Sequence, residues 1–593
     1  MSLLDEVHID EGRLAAHLDW FAGVRRDTGG PGEDAAAGYI VAQLEEAGVE
    51  VRVHEFDAFL SYPREASLTE ADGASLGVGC VTHSFAASTP DAGLTGELTY
   101  LPDADFSDAA GKLVLVDGLC TPITVLEASR AGVAGVVFVN QGDVVHNMIA
   151  TTIWGTPSLD QLDRLPTVAA VSVSRPDGER LKARLAEGPL TVRLTTRVET
   201  GWYRSKLPEA IIRGSDADTD EFVLVGAHYC SWEIGITDNA TGDACLLEMA
   251  RALQAQRHAL KRSVRLCWWP GHSHGRYSGS TWYADNFFHD LADNCVAYHN
   301  IDSPGVRGAT LYVARHTTAE VEAFCTNLIG DMTGQTSPEV HRPSRAADQS
   351  FLANGVPAFS TYPFLPHEDP ERKPWTGGCG NAWWWHSSAD VRDKADEAIL
   401  ALDTRISIEG VARLANARVL PIDPSRSAQE AAGFVADFAA ATAEFTAKGL
   451  GGARVDEIAG KKEGTTQPFG FGWLSIMLGA GFLVIGLGWL VARGYSPEGF
   501  HALGEWLAPA FRVIEQAAYA VLSFLVRLLE PVLDLLVRIM EALMSLLMKQ
   551  MQETTPQDFS LALPTVEPGD ATADGFPWGT VLKWSAIVGI VLL

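Results

Sequence analysis

The sequence predicts an α/β fold built on a mixed sheet, and three observations predict it. Beyond residue 200, apolar runs of strand length alternate with helical segments, the order expected when helices cross over between strands. Between 67 and 200 the pattern changes to short strands divided by Gly-rich turns, which marks a β-rich insert. From 464 to 492 no charged residue occurs, and the core of that stretch, 473–491, has the length of a membrane span.

The elements follow in order. Residues 14–21 and 35–44 carry apolar side chains at helical spacing, with a Gly-Gly-Pro-Gly break at 29–32 between them, and 49–56 reads as a strand. These open the catalytic domain over 1–66. Over 67–200, strands at 96–101, 111–118 and 132–139 accompany a helix at 123–131; the insert shows no catalytic cluster, and His146 reads as a loop residue. Strands at 222–228, 264–269 and 295–301 then alternate with helices at 243–254, 279–291 and 395–415 in a domain spanning 201–421. Asp348 precedes a short helix at 349–355, where it either caps the first turn or reaches the pocket, and 356–362 returns as a strand. Residues 422–467 are Ala-rich and helical, then linker-like. The tail, 468–593, joins the apolar stretch, flanked by Trp473, Trp489 and Arg493, to a long amphipathic helix over 505–549 that Pro531 kinks. The expectation is a membrane-associated segment that stops inside an apolar run at 586–593.

Composition narrows the function classes. A chain of 593 residues with 47% hydrophobic content is long enough for several domains, about four at ~150 residues each. Its formal charge of −30 excludes the basic footprint that nucleic-acid binding requires. The eight Cys are scattered without a Cys-x-x-Cys pair, as reduced thiols are, and the N-terminus has no basic region followed by an apolar core. The catalytic portion is therefore expected in the cytoplasm, tethered to a membrane by the tail.

The chemistry gathers where strands run out. The first strand ends in His228-Tyr-Cys230 and leads to Thr237-Asp238-Asn239. The second opens into Gly271-His272-Ser273-His274-Gly275, the third delivers Asp302, and a Trp-rich loop delivers His386 and Asp390. A lone His at a strand end is usually a hydrogen-bonded structural residue. Here three imidazoles (His228, His274, His386) and two carboxylates (Asp238, Asp302) make a nitrogen and oxygen set that suits zinc, with ligands for two ions sharing one carboxylate. Such a set points to hydrolysis by metal-activated water. Six Trp (Trp268, Trp269, Trp282, Trp383, Trp384, Trp385) fall beside these residues and either wall an apolar pocket or fill the core.

At these residues the chain resembles metallopeptidase family twenty-eight, the co-catalytic di-zinc aminopeptidases, whose relatives include glutamate carboxypeptidase and glutaminyl cyclase. The resemblance covers roughly 10–415 and includes an inserted protease-associated domain at 67–200. The family's His-x-Asp falls on His228-Tyr229-Cys230, its Asp-Asn-x-x-Gly on 238–242, its Glu-Glu-x-Gly-x-x-Gly-Ser on 273–280, its strand-end Asp on Asp302, its Ser-Asp on Ala347-Asp348, and its His-x-x-x-Asp on 386–390. It implies two zinc ions, one on His228 and Asp302, the other on His386 and the residue replacing a glutamate, with Asp238 bridging and Cys230, Asp348 and Asp390 behind the ligands.

Two departures qualify this. The Glu-Glu pair lies on Ser273 and His274, so an imidazole takes the place of a ligating carboxylate and a hydroxyl that of the general base. His272 is the nearest substitute base, on the same side as His274 if the segment is extended. Cys230 stands where the family has an aspartate behind the first ligand, and is either a weak acceptor or a thiolate ligand. The expectation is a metal-dependent hydrolase of the aminopeptidase type, acting on a peptide or small amide, with Ser273 and His272 in the catalytic positions. The alternatives are a catalytically impaired homologue that retains metal as a binding or scaffold protein, and a different amide hydrolysis or transfer.

Overall fold

A computed structural model describes residues 7–447. Their main sheet has eleven strands. At one end Cys295–Asn300, Phe222–His228 and Ser263–Trp269 run parallel, with the short Ala358–Phe359 beside the first. Phe222–His228 is buried along its whole length, as a central parallel strand covered on both faces must be. Gly226 in it is obligatory: a Cβ there would lie 2.1 Å from Nε1 of Trp269. Because these strands are parallel, their carboxyl ends meet at one edge, and His228, Gly271 and Asp302 follow them there.

Two long antiparallel strands, Glu50–Glu70 and Thr191–Ile212, connect this half to the insert. The second pairs with Ser263–Trp269 near one end and with Leu94–Tyr100 near the other. The expected boundaries at 66/67 and 200/201 thus fall inside continuous strands, a feature that alternating composition does not reveal. Beyond them Leu94–Tyr100, Leu113–Asp117, Gly135–Val139 and Ala169–Val173 form a parallel set with apolar clusters on both faces. The predicted helices appear as Glu11–Phe21, Pro31–Glu46, Pro122–Arg130, Thr241–Ala255 and Glu397–Asn416. The helix expected at 279–291 is divided at Phe287 into Ser278–Asn286 and Phe288–Asn294. Among the described residues no helix is long and apolar enough to cross a membrane; the readings at 473–491 and 505–549 lie outside them.

The loop after His228 is held by Arg26. Its fully buried guanidinium donates to the carbonyls of Phe21, Val24, Tyr229, Ile234 and Gly235, and its charge faces Asp243. Arg26→Met leaves these five carbonyls without donors, and is expected to lower the unfolding free energy by about 3–5 kcal/mol. Urea denaturation measures this; a loss below about 1 kcal/mol would remove Arg26 from that role.

Candidate metal centre

His228 closes its strand with the ring oriented from behind: Nδ1 donates to the carbonyl of Cys230 at 3.0 Å, which turns Nε2 toward the two carboxylates. Nε2 lies 3.0 Å from Oδ1 of Asp238 and 3.8 Å from Oδ1 of Asp302. Nε2 is buried, and it and one oxygen from each of the two carboxylates all lie within 4.8 Å of one another, so the three converge on a common point. Ligands of one cation do this. Burial disfavours the imidazolium, but Asp238, Cys230 and Asp302 together hold the pKa of His228 well above its usual value.

Asp238 is fixed from two directions. Asp390 accepts from the backbone N–H and hydroxyl of Thr237 and from the N–H of Asp238 at 2.7–3.1 Å. Burial pushes the Asp390 carboxyl up to about 7 although these donors pull it down. The Asn239 side chain donates to the carbonyl of Ile301 and accepts from the N–H of Ser303, which ties the Asp238 segment to the Asp302 segment. The second oxygen of Asp238 lies 3.2 Å from Nε2 of His386.

His386 has left-handed backbone, φ 54°, and its Nδ1 donates to the carbonyl of Asn147 at 2.8 Å. The N–H of Asn147 donates back to the carbonyl of His386, and His146 bonds the carbonyl of Trp385 through Nδ1. His146 lies in a loop, as its sequence suggests, but it is a fully buried clamp on the site; a contact across 239 positions leaves no local signal.

The 272–274 segment departs most from expectation. It forms one helical turn, His272–Gly275, in which residues two apart project about 200° apart around the axis. His272 and His274 accordingly take opposite sides, whereas an extended segment would align them. His272 stacks on His228 at 3.8 Å between ring centroids, and its Nδ1 is 2.7 Å from Oδ2 of Asp348. Asp348 does not cap a helix; its other oxygen accepts from the Ser280 hydroxyl at 2.7 Å. His274 instead lies among Trp232, Tyr62 and Asp27, and the buried Ser273 does not line the cavity. The Cys230 thiol is wholly buried and belongs to no group of metal-ligand atoms among the described residues.

A cavity of about 230 Å³ opens over the centre, with Asp238, His272, Asp302 and His386 in its lining. Arg276, Arg315 and Arg345 line it too, and none of the three forms an ion pair among the described residues. Arg276 is buried, with its Nε lacking any hydrogen-bond partner. Of the six Trp, Trp385 lines the cavity; Trp268 and Trp269 are core residues, and Trp282 stacks on Phe56. A larger groove, about 430 Å³, lies at the start of strand Ser263–Trp269, but its arginines are paired to Glu50 and Asp290.

Residues 210–408 match the sequence model of Peptidase family M28. A probable glutamate carboxypeptidase of Zea mays is 24% identical over 379 residues, 53% of this chain and 52% of that protein. A probable leucine aminopeptidase 2 of Aspergillus oryzae is 24% identical over 342 residues, 53% of this chain and 65% of that protein. The chain thus spans about half to two thirds of the length of these relatives. In fold it is similar to a zinc aminopeptidase from Bacillus subtilis (TM-score 0.55, 19% identity, 70% of this chain and 98% of the other). It is also similar to an aminopeptidase from Aneurinibacillus sp. strain AM-1 (TM-score 0.52, 21% identity, 69% and 94%).

Proposed function

We propose that this chain, whose residues 210–408 belong to peptidase family M28, is a metal-dependent peptidase of the aminopeptidase type that acts on a substrate carrying an anionic group. The observation that carries the metal is the convergence of His228 Nε2 and the Asp238 and Asp302 oxygens within 4.8 Å of one another. Zinc bound there would supply Lewis acidity toward the scissile carbonyl and acidify water.

The protein supplies the rest. Asp348 holds His272 through Nδ1, so the proton sits on that nitrogen and Nε2 is left basic. His272 thereby takes the proton-accepting role that neither Ser273 nor a carboxylate fills. Asp390 and Asn239 keep Asp238 and Asp302 in place, and the His146–Asn147 strip of the insert keeps His386 in place. The inserted domain, which we read as protease-associated, is in this view part of the site.

The arginines argue for the anionic substrate. In a chain of net charge −30, three cavity-lining arginines without acidic partners would otherwise sit uncompensated beside the metal. A substrate carboxylate would complete them, most tightly at the buried Arg276. Two of the similar proteins quoted above, one named a probable glutamate carboxypeptidase and one a leucine aminopeptidase, differ in that preference. The test is a panel of aminoacyl, acidic and N-acyl amide substrates, assayed before and after chelation. Chelation should abolish hydrolysis and zinc restore it. Arg276→Gln should lower kcat/KM for acidic substrates about 10- to 100-fold relative to neutral ones. Metal-replete protein that turns over none of the panel would instead support a metal-retaining binding protein, the reading favoured by the missing carboxylate base.

A further inference from the structure

We propose that the centre retains one metal ion, on His228, Asp238 and Asp302, and that the Asp238–His386 position does not retain a second. The inference rests on the metal-dependent reading above and departs from the two equal sites that the family resemblance implies.

Ligand count is the first ground. Among the described residues, one group of three His, Cys, Asp or Glu side chains has donor atoms all within 4.8 Å of one another: His228, Asp238 and Asp302. Around the other position only Asp238 Oδ2 and His386 Nε2 approach, at 3.2 Å, and no third donor completes a group. Catalytic zinc sites are held by three protein ligands, with the fourth position left to water or substrate. Two ligands, one of them shared, fall short.

The residue that sequence order assigns to the gap packs among aromatic rings, its Nδ1 has no hydrogen-bond partner, and it joins no group of metal-ligand atoms among the described residues. The His274 ring is buried, 4.6 Å from the centroid of Trp232 and 5.3 Å from that of Tyr62, with Nε2 3.7 Å from Oδ1 of Asp27. Trp232 also packs against His386, at 6.2 Å, so a bulky indole borders both imidazoles. Turning His274 toward Asp238 requires reversing the side of the helical turn on which it sits.

Charge is the second, independent ground. Asp238 and Asp302 together neutralise one divalent cation. A second would add two positive charges to a cavity already lined by the unpaired Arg276, Arg315 and Arg345, with no further carboxylate coordinating it. Uncompensated charge in a desolvated site is costly.

The experiment is metal analysis of the full chain, loaded with excess zinc and passed through metal-free gel filtration. It is compared with Asp302→Ala and His386→Ala, with far-ultraviolet circular dichroism to establish folding. One equivalent retained by the natural protein, about one by His386→Ala and less than 0.2 by Asp302→Ala is expected. The visible spectrum of the cobalt-loaded protein should saturate at one equivalent. Two retained equivalents, or loss of metal from folded His386→Ala as complete as from Asp302→Ala, overturn the inference and leave the metal-dependent function standing. No retained metal in the natural protein overturns both.

Discussion

Asp238→Ala is expected to leave less than a tenth of the metal bound and to lower amide hydrolysis by about 1,000-fold or more. Asp238 sends one oxygen toward His228 and the other toward His386, so no other side chain can replace it in both directions. Its removal also leaves two buried imidazoles without the carboxylate between them. The activity loss follows from the several kcal/mol of charge stabilisation that a metal supplies, with each 1.36 kcal/mol worth a factor of ten. Asp390→Asn is the graded companion: it keeps every ligand but weakens the acceptor for the Thr237 and Asp238 donors, and should cost 10- to 100-fold in metal affinity, the usual scale for a residue behind a ligand. Isothermal titration with zinc and parallel kinetics measure both. Unchanged zinc affinity in folded Asp238→Ala would refute the assignment of the centre.

How much of this was legible in the sequence depends on what each residue's position required. His228, Asp238 and Asp302 follow buried strands whose apolar runs are visible along the chain, and parallel pairing brings their ends together. His386 was legible through motif order, but the partners of its ring were not, because Asn147 and His146 come from a lobe that composition presents as separate. The 272–274 segment shows a different limit. Counting along a motif fixes which residue occupies a position, while the direction of its side chain depends on whether the backbone there is extended or helical. Five consecutive residues from Gly271 to Gly275, two of them glycines, carry no periodicity that decides between the two. The same limit applies to Asp348, whose place before a short helix suggested a cap, while the interaction it makes is with a histidine 76 positions earlier.

That interaction carries the last prediction. His272→Ala should lower kcat by about 100- to 10,000-fold, the range for loss of a positioned general base, while retained zinc stays at the natural level. The separation of the two readouts matters because His272 stacks on His228, and a merely structural role would disturb metal binding along with turnover. Asp348→Asn tests the orientation of the base. An amide keeps the shape of the carboxylate, and its oxygen can still accept from Nδ1. It cannot stabilise the imidazolium formed when Nε2 takes a proton, while its amide N–H can still donate to the Ser280 hydroxyl on the other side. Asp348→Asn should therefore lower kcat by about 100-fold with little change in KM, and Asp348→Glu should recover part of the loss where Asp348→Ala recovers none. If His272→Ala loses zinc and turnover together, the His272–Asp348 pair is a packing element against His228; if it keeps both, the proton acceptor is another group.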